Sequence, residues 1–165
     1  MERTVGERTP AKGKAARTLL AAAKGALAGA GATLVMSGVM AGFHRLGLLG
    51  EPPPRRFVRR GLAALGLRPG EPGLELLTAL AHLGFGAGVG ALYGAAVALR
   101  PGVAGPASGV ATGLAVWGAS YAGWVPALGL LPPPDADRPG RPTAMVASHV
   151  AFGAALGAGV RAFGQ

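Results

Sequence analysis

Four long apolar runs, separated by shorter polar stretches, make up most of the chain: Gly25–Leu49, Leu74–Leu99, Gly102–Leu131 and Thr143–Phe163. A helix that crosses a bilayer needs about 20 predominantly apolar residues, and each run reaches that length. Most polar interruptions fall near the ends. His44 and Arg45 sit late in the first run, Glu75 opens the second and Arg161 sits late in the fourth. His82 and His149 lie deeper, and Pro106 and Pro126 interrupt the third run. Between the first two runs stands "RRFVRRGLAALGL". At 100° per residue, Arg55, Arg56, Arg59 and Arg60 fall on one side and Phe57, Val58, Gly61, Leu62 and Leu65 on the other, which predicts a short amphipathic helix in the headgroup layer. A solvated cap on the bundle and a specific partner site are the alternatives. The expected fold is all-α: one integral membrane domain over residues 1–165, a four-helix transmembrane bundle behind a basic tail at residues 1–17. The first run is too long for the roughly 7–15-residue core of a signal peptide, so it is expected to remain in the protein.

Two pairs of runs match one another. "AHLGFGAGVGA" (Ala81–Ala91) aligns without gaps to "SHVAFGAALGA" (Ser148–Ala158), and "LGLLGEPPP" (Leu46–Pro54) resembles "LGLLPPP" (Leu128–Pro134). The matches come in the same order, which predicts two tandem, related helix hairpins with a pseudo-twofold along the membrane normal. The prolines at 52–54 and 132–134 are expected to stop the helices before them.

Glycine is costly inside a helix in water. In lipid it lets helix backbones approach closely, where packing drives association. Small-xxx-small spacing recurs in every run: Gly25/Gly29 and Gly38/Gly42, Gly86/Gly90/Gly94, Gly105/Gly109/Gly113, and Gly153/Gly157. Gly86, Gly90, Gly94, Gly153 and Gly157 are therefore expected at helix crossings. With 30 glycines, some such pairs also arise by composition alone. A phosphate loop is excluded for "AHLGFGAGVGALYG": no strand precedes it and no acid lies within reach downstream.

Composition supports the lipid setting. Half the residues are apolar and 14% are charged, against roughly 25% in a typical soluble domain. The absence of cysteine excludes disulfides, thiolate metal sites and cysteine nucleophiles. The net charge of +9 comes from cations clustered beside the first run, a pattern suited to anionic lipid headgroups. Arg55, Arg56, Arg59 and Arg60 are the headgroup candidates. No zinc-finger spacing or aromatic-interleaved basic stripe is present, so no nucleic-acid partner is expected. Eight lysines and arginines fall on the side of the termini and eight on the other, which leaves orientation open with a slight lean to termini inside.

Ionisable groups at membrane depth are functional candidates. His82 and His149 each lie about two turns in from the same side, roughly 10 Å deep. They are a proton-sensitive pair or, alternatively, packing residues; two imidazoles alone are too few for a metal, and no metal or cofactor is expected. Glu75 and His44 are expected near the interface. Trp117, Tyr121 and Trp124 share one face of the third helix, as an anchoring belt or packing group. "PPPDADRPGRP", with Asp135 and Asp137, reads as a solvated loop. Ser148 has no acid partner or nucleophile elbow, so hydrolase chemistry is not expected.

"AHLGFGAGVGALYG" on the second run, "PALGLLPPP" closing the third and "SHVAFGAALG" on the fourth resemble the YagU-like inner-membrane proteins, a bacterial family without an assigned molecular activity. The resemblance covers about the second half of the chain. It implies a multi-pass protein of the bacterial inner (cytoplasmic) membrane with four or so spans, and it singles out His82 and His149 without a catalytic role. The expected function is a non-enzymatic Gly/Ala-packed bundle in membrane organisation or stress physiology, with a homo-oligomer as a possible state. The alternative is a small proton-linked transporter or channel using the two histidines. The absence of a carboxylate in the middle of any run counts against transport.

Overall fold

The computed structural model describes residues 10–164. Among these the chain is helical and contains no strand: α1 (Pro10–Arg45), α2 (Pro53–Ala64), α3 (Glu71–Leu99), α4 (Pro106–Ala119), α5 (Val125–Ala127) and α6 (Arg141–Ala162). A π-helical turn, Ser120–Trp124, joins α4 to α5, and a 3-10 turn, Pro101–Val103, follows α3. The part of the basic tail at residues 1–9 lies outside the described residues; the rest belongs to α1, which starts well before Gly25.

Three helices are long and apolar enough to cross a membrane: Gly13–Arg45, Glu71–Leu99 and Arg141–Ala162. The third apolar run is the exception to the expected pattern. It is not one uninterrupted helix over Gly102–Leu131 but the sequence α4, π turn, α5. Pro126 supplies the physical reason. Proline lacks an N–H and its ring clashes with the carbonyl four residues back. The turn ahead of it widens, and the Val125 N–H reaches the Ser120 carbonyl, five residues back.

The prolines at 52–54 and 132–134 do not stop the helices before them, which end earlier at Arg45 and Ala127; prolines instead open helices. α2, α3, α4 and α6 each carry proline in their first turn, where a missing N–H costs nothing and the fixed φ suits the helix. Helix ends are made by glycine. After α1, Gly47 adopts φ 74°, the Leu48 N–H bonds the Phe43 carbonyl at 3.0 Å and the Gly47 N–H bonds the His44 carbonyl at 2.9 Å. After α5, Gly129 adopts φ 64°, and Leu130 and Gly129 make the same two bonds to Val125 and Pro126. This is the Schellman cap. The repeated "LGLL" is thus a repeated helix terminus, and it buries Leu49 and Leu131 alike.

α1 packs against both α3 and α6, and α4 packs against α6. Glycine sets the first and last of these contacts. A methyl group added at Gly90 would lie 2.8 Å from the Gly29 Cα and closer still to the Gly25 carbonyl oxygen. One added at Gly109 would lie 2.8 Å from the Gly157 Cα and closer to the Gly153 carbonyl. Gly86 and Gly94 of α3 sit equally tightly against Thr33 and against Ala21 with Gly25. Gly86, Gly90, Gly94, Gly153 and Gly157 therefore all stand at crossings. Gly38 and Gly42 do not: nothing lies within 4 Å of either position's missing Cβ. Outward faces carry large apolar side chains, among them Leu27, Leu34, Leu80 and Leu92, each more than half exposed. α1 and α6 are the inner pair, and Leu156, Val160, Ser148 and Ala144 of α6 are fully enclosed.

Candidate functional site

A cavity of about 380 Å³ opens where α1, α2, α3, the π turn, α5 and α6 meet. Met36 and Met40 line it from α1, Pro53, Pro54 and Phe57 from α2, and Ala81, His82 and Phe85 from α3. Ser120, Tyr121 and Trp124 line it from the π turn, Val125 from α5, and Met145 and His149 from α6. A smaller void of about 30 Å³ continues past both histidines toward Thr33, Gly86, Val116 and Phe152. The two imidazoles picked out by the repeat therefore border one space. The geometry follows from helix periodicity: Met36 and Met40, and Met145 and His149, are i, i+4 pairs and share a face. The widened turn brings Ser120, Tyr121 and Trp124 to the same wall.

The polar groups of the cavity are few. The His149 Nδ1–H donates to the Met145 carbonyl at 2.8 Å. A carbonyl only accepts, so Nδ1 carries the proton and, in the neutral ring, Nε2 is left as an acceptor. His44 bonds the Leu49 carbonyl at 3.1 Å and is exposed; His82 makes no comparable bond among the described residues. The Ser120 hydroxyl is occupied, donating to the Val116 carbonyl at 2.6 Å. Ser148 donates to the Ala144 carbonyl at 2.7 Å and is fully buried, so it offers no nucleophile. No group of three His, Cys, Asp or Glu side chains able to hold a metal occurs among the described residues.

The polar network bonded to the Tyr121 hydroxyl corrects one expectation. The loop holding Asp137 is not merely solvated. The Asp137 side chain is 2% exposed and pairs with Arg141 at 2.9 Å, itself 7% exposed. Asp137 also accepts hydrogen bonds from the Tyr121 hydroxyl and the Arg138 N–H, both at 2.7 Å. Tyr121 is buried, so the aromatic trio does not act as one belt. Tyr121 is an internal strut, Trp117 packs beside it at 6.2 Å, and Trp124 meets Phe57 edge-on at 5.6 Å.

The arginines of α2 are also placed differently from a plain headgroup array. Arg56 donates to the Leu130 carbonyl at 3.2 Å, and Arg60 donates to the Leu128 and Gly129 carbonyls at 3.0 Å. Both cover the C-terminus of α5, where carbonyls are unpaired and the helix dipole is negative. Arg138 does the same for α1, donating to the Gly47 carbonyl at 2.7 Å. Arg55, Arg56 and Arg59 surround Glu51, and Arg55 also pairs with Glu71. α2 thus serves as a polar lid over the cavity end of the helices, with Arg59 the most exposed of the paired three. Glu75 is exposed, as expected.

Composition and spacing did not reveal the methionines. The chain holds four, and every one except Met1 lines the cavity. Their i, i+4 relations were the available signal. Compared with known family models, curated proteins and solved structures, the chain matches none.

Proposed function

We propose that the protein is a non-enzymatic, multi-pass integral membrane bundle of four crossings, built from the hairpins α1–α3 and α4–α6, that acts in the organisation of the membrane. The observation that carries this reading is the pairing of glycine backbones at two equivalent helix crossings beneath apolar outward faces. In water, exposing that many leucines would be unfavourable and the glycines would weaken the helices. In lipid the first cost vanishes, and the close backbone approach that glycine permits offsets the second as the source of association. The resemblance to the YagU-like proteins points to the bacterial inner membrane as the location. Anionic headgroups are the proposed surface partner of Arg59 and of the exposed Arg45 and Arg68, and a second copy of the chain is a further proposed partner. Fractionation tests the reading: the protein stays in the pellet through an alkaline carbonate wash and is released by detergent. Release by carbonate alone would refute it.

A second reading has its own observation. His82 and His149 border one cavity, as a small proton-linked transporter would require. Proton flux in liposomes that is lost when both become glutamine (His82→Gln, His149→Gln) supports transport. Flux that survives the double change, or no flux from the parent protein, rules it out.

A further inference from the structure

We propose that the cavity beside His82 and His149 binds a small planar aromatic molecule bearing one ring-borne hydrogen-bond donor, the class of phenols and indoles. The proposal rests on the membrane-bundle reading for the route of entry, since such molecules partition into lipid and reach the site from there.

Size is the first argument. Binding pockets for small molecules run from roughly 300 to 1,000 Å³ and are mostly apolar with a few placed polar groups. A dry cavity of about 150 Å³ already holds a benzene ring. At about 380 Å³ this one has room for a substituted ring or a fused pair.

The lining is the second. Phe85, Trp124, Tyr121 and Phe57 present aromatic edges and faces from three different elements, and rings stack on rings in offset or edge-on geometry. All the methionines of the chain except Met1 border the same space. Thioethers are polarizable, favour contact with aromatic edges and adapt to the shape of the occupant. An alkyl chain gains none of these directional contacts.

The third is the polar anchor. His149 is 5% exposed, and its Nδ1–H is committed to the Met145 carbonyl. Its Nε2 is an acceptor with no protein partner among the described residues. In an apolar cavity such an atom selects a ligand that supplies O–H or N–H, because an occupant without one leaves the nitrogen unpaired.

The test uses the full chain in detergent or nanodiscs. The protein has two tryptophans, so Trp117→Phe leaves Trp124 as the reporter on the cavity wall. Para-tert-butylphenol, its methyl ether and lauric acid are titrated, with Trp124 fluorescence and calorimetry as readouts. The phenol is expected to bind saturably, and its methyl ether at least about tenfold more weakly. His149→Leu is expected to bring the two affinities together. If that variant does not fold, the comparison of phenol and ether on the parent protein decides alone. Equal affinity for phenol and ether, no saturable binding, or displacement of the phenol by stoichiometric lauric acid would overturn the proposal, the last marking the cavity as a lipid acyl-chain site. Carbonate extraction of the same preparation separates the two readings: a protein that stays in the membrane yet ignores the phenol sinks only this one.

Discussion

Gly90→Ala and Gly88→Ala place the same methyl group two residues apart in α3, and they should have opposite consequences. At position 88 nothing lies within 4 Å of the new atom. At position 90 it would stand 2.8 Å from the Gly29 Cα, with the Gly25 carbonyl closer still. Both neighbours are backbone and cannot rotate away, so α1 and α3 must part by roughly 1 Å to restore ordinary contact. If roughly 40 atom pairs across the crossing hold about 0.15 kcal/mol each and lose about 40% of it, the cost is about 2 kcal/mol. The gain in helix propensity from glycine to alanine is about 1 kcal/mol at either site and cancels between the variants. Gly90→Ala should therefore be less stable than Gly88→Ala by about 2 kcal/mol. Reversible unfolding in mixed micelles of rising SDS fraction, followed by far-ultraviolet circular dichroism, measures the difference. Agreement of the two variants within about 0.5 kcal/mol, the range of ordinary surface substitutions, would refute the close-packing argument.

The same unfolding assay addresses the polar network and the caps. Asp137→Asn leaves the enclosed Arg141 without its counter-charge and should cost about 3–5 kcal/mol, whereas Asp137→Asn with Arg141→Met should recover most of that loss. Tyr121→Phe removes one hydrogen bond from the same carboxylate and should cost about 1 kcal/mol. Gly109→Ala should match Gly90→Ala, and Gly31→Ala, with open space around it, should match Gly88→Ala. Arg60→Ala uncovers the carbonyls that end α5 and should cost about 1 kcal/mol, detectable as early loss of amide-exchange protection over residues 125–130.

Helix content and the apolar character of the long runs were legible because both rest on local pattern. The packing glycines were legible at Gly86, Gly90, Gly94, Gly153 and Gly157, where spacing coincides with a partner backbone, and illegible at Gly38 and Gly42, where identical spacing faces open space. Spacing puts small residues on one face; only the neighbouring helix decides whether the face is used. The break at Ser120–Trp124 was visible as Pro126 but not as a change of register, because proline can also be absorbed by a kink. His82 and His149 stood out through the repeat, since histidine is rare in this composition. Met36, Met40 and Met145 did not, since an apolar residue in an apolar run carries no signal until α1 and α6 bring it to one cavity. Asp137 was misread for a related reason. Two acids among arginines and prolines look like a solvated loop, and the partner that encloses one of them, Tyr121, is 16 residues away.

Side-specific labelling tests the four-crossing architecture most directly. The chain has no cysteine, so single cysteines introduced at the exposed positions Arg17, Arg68, Arg100 and Asp135 can be read without background in sealed membrane vesicles with an impermeant maleimide. The architecture predicts that Arg17→Cys and Arg100→Cys react from one face and that Arg68→Cys and Asp135→Cys react from the opposite face. Reaction of Arg100→Cys and Asp135→Cys from the same face would contradict it, because the segment from α4 through the π turn to α5 would then not cross the membrane.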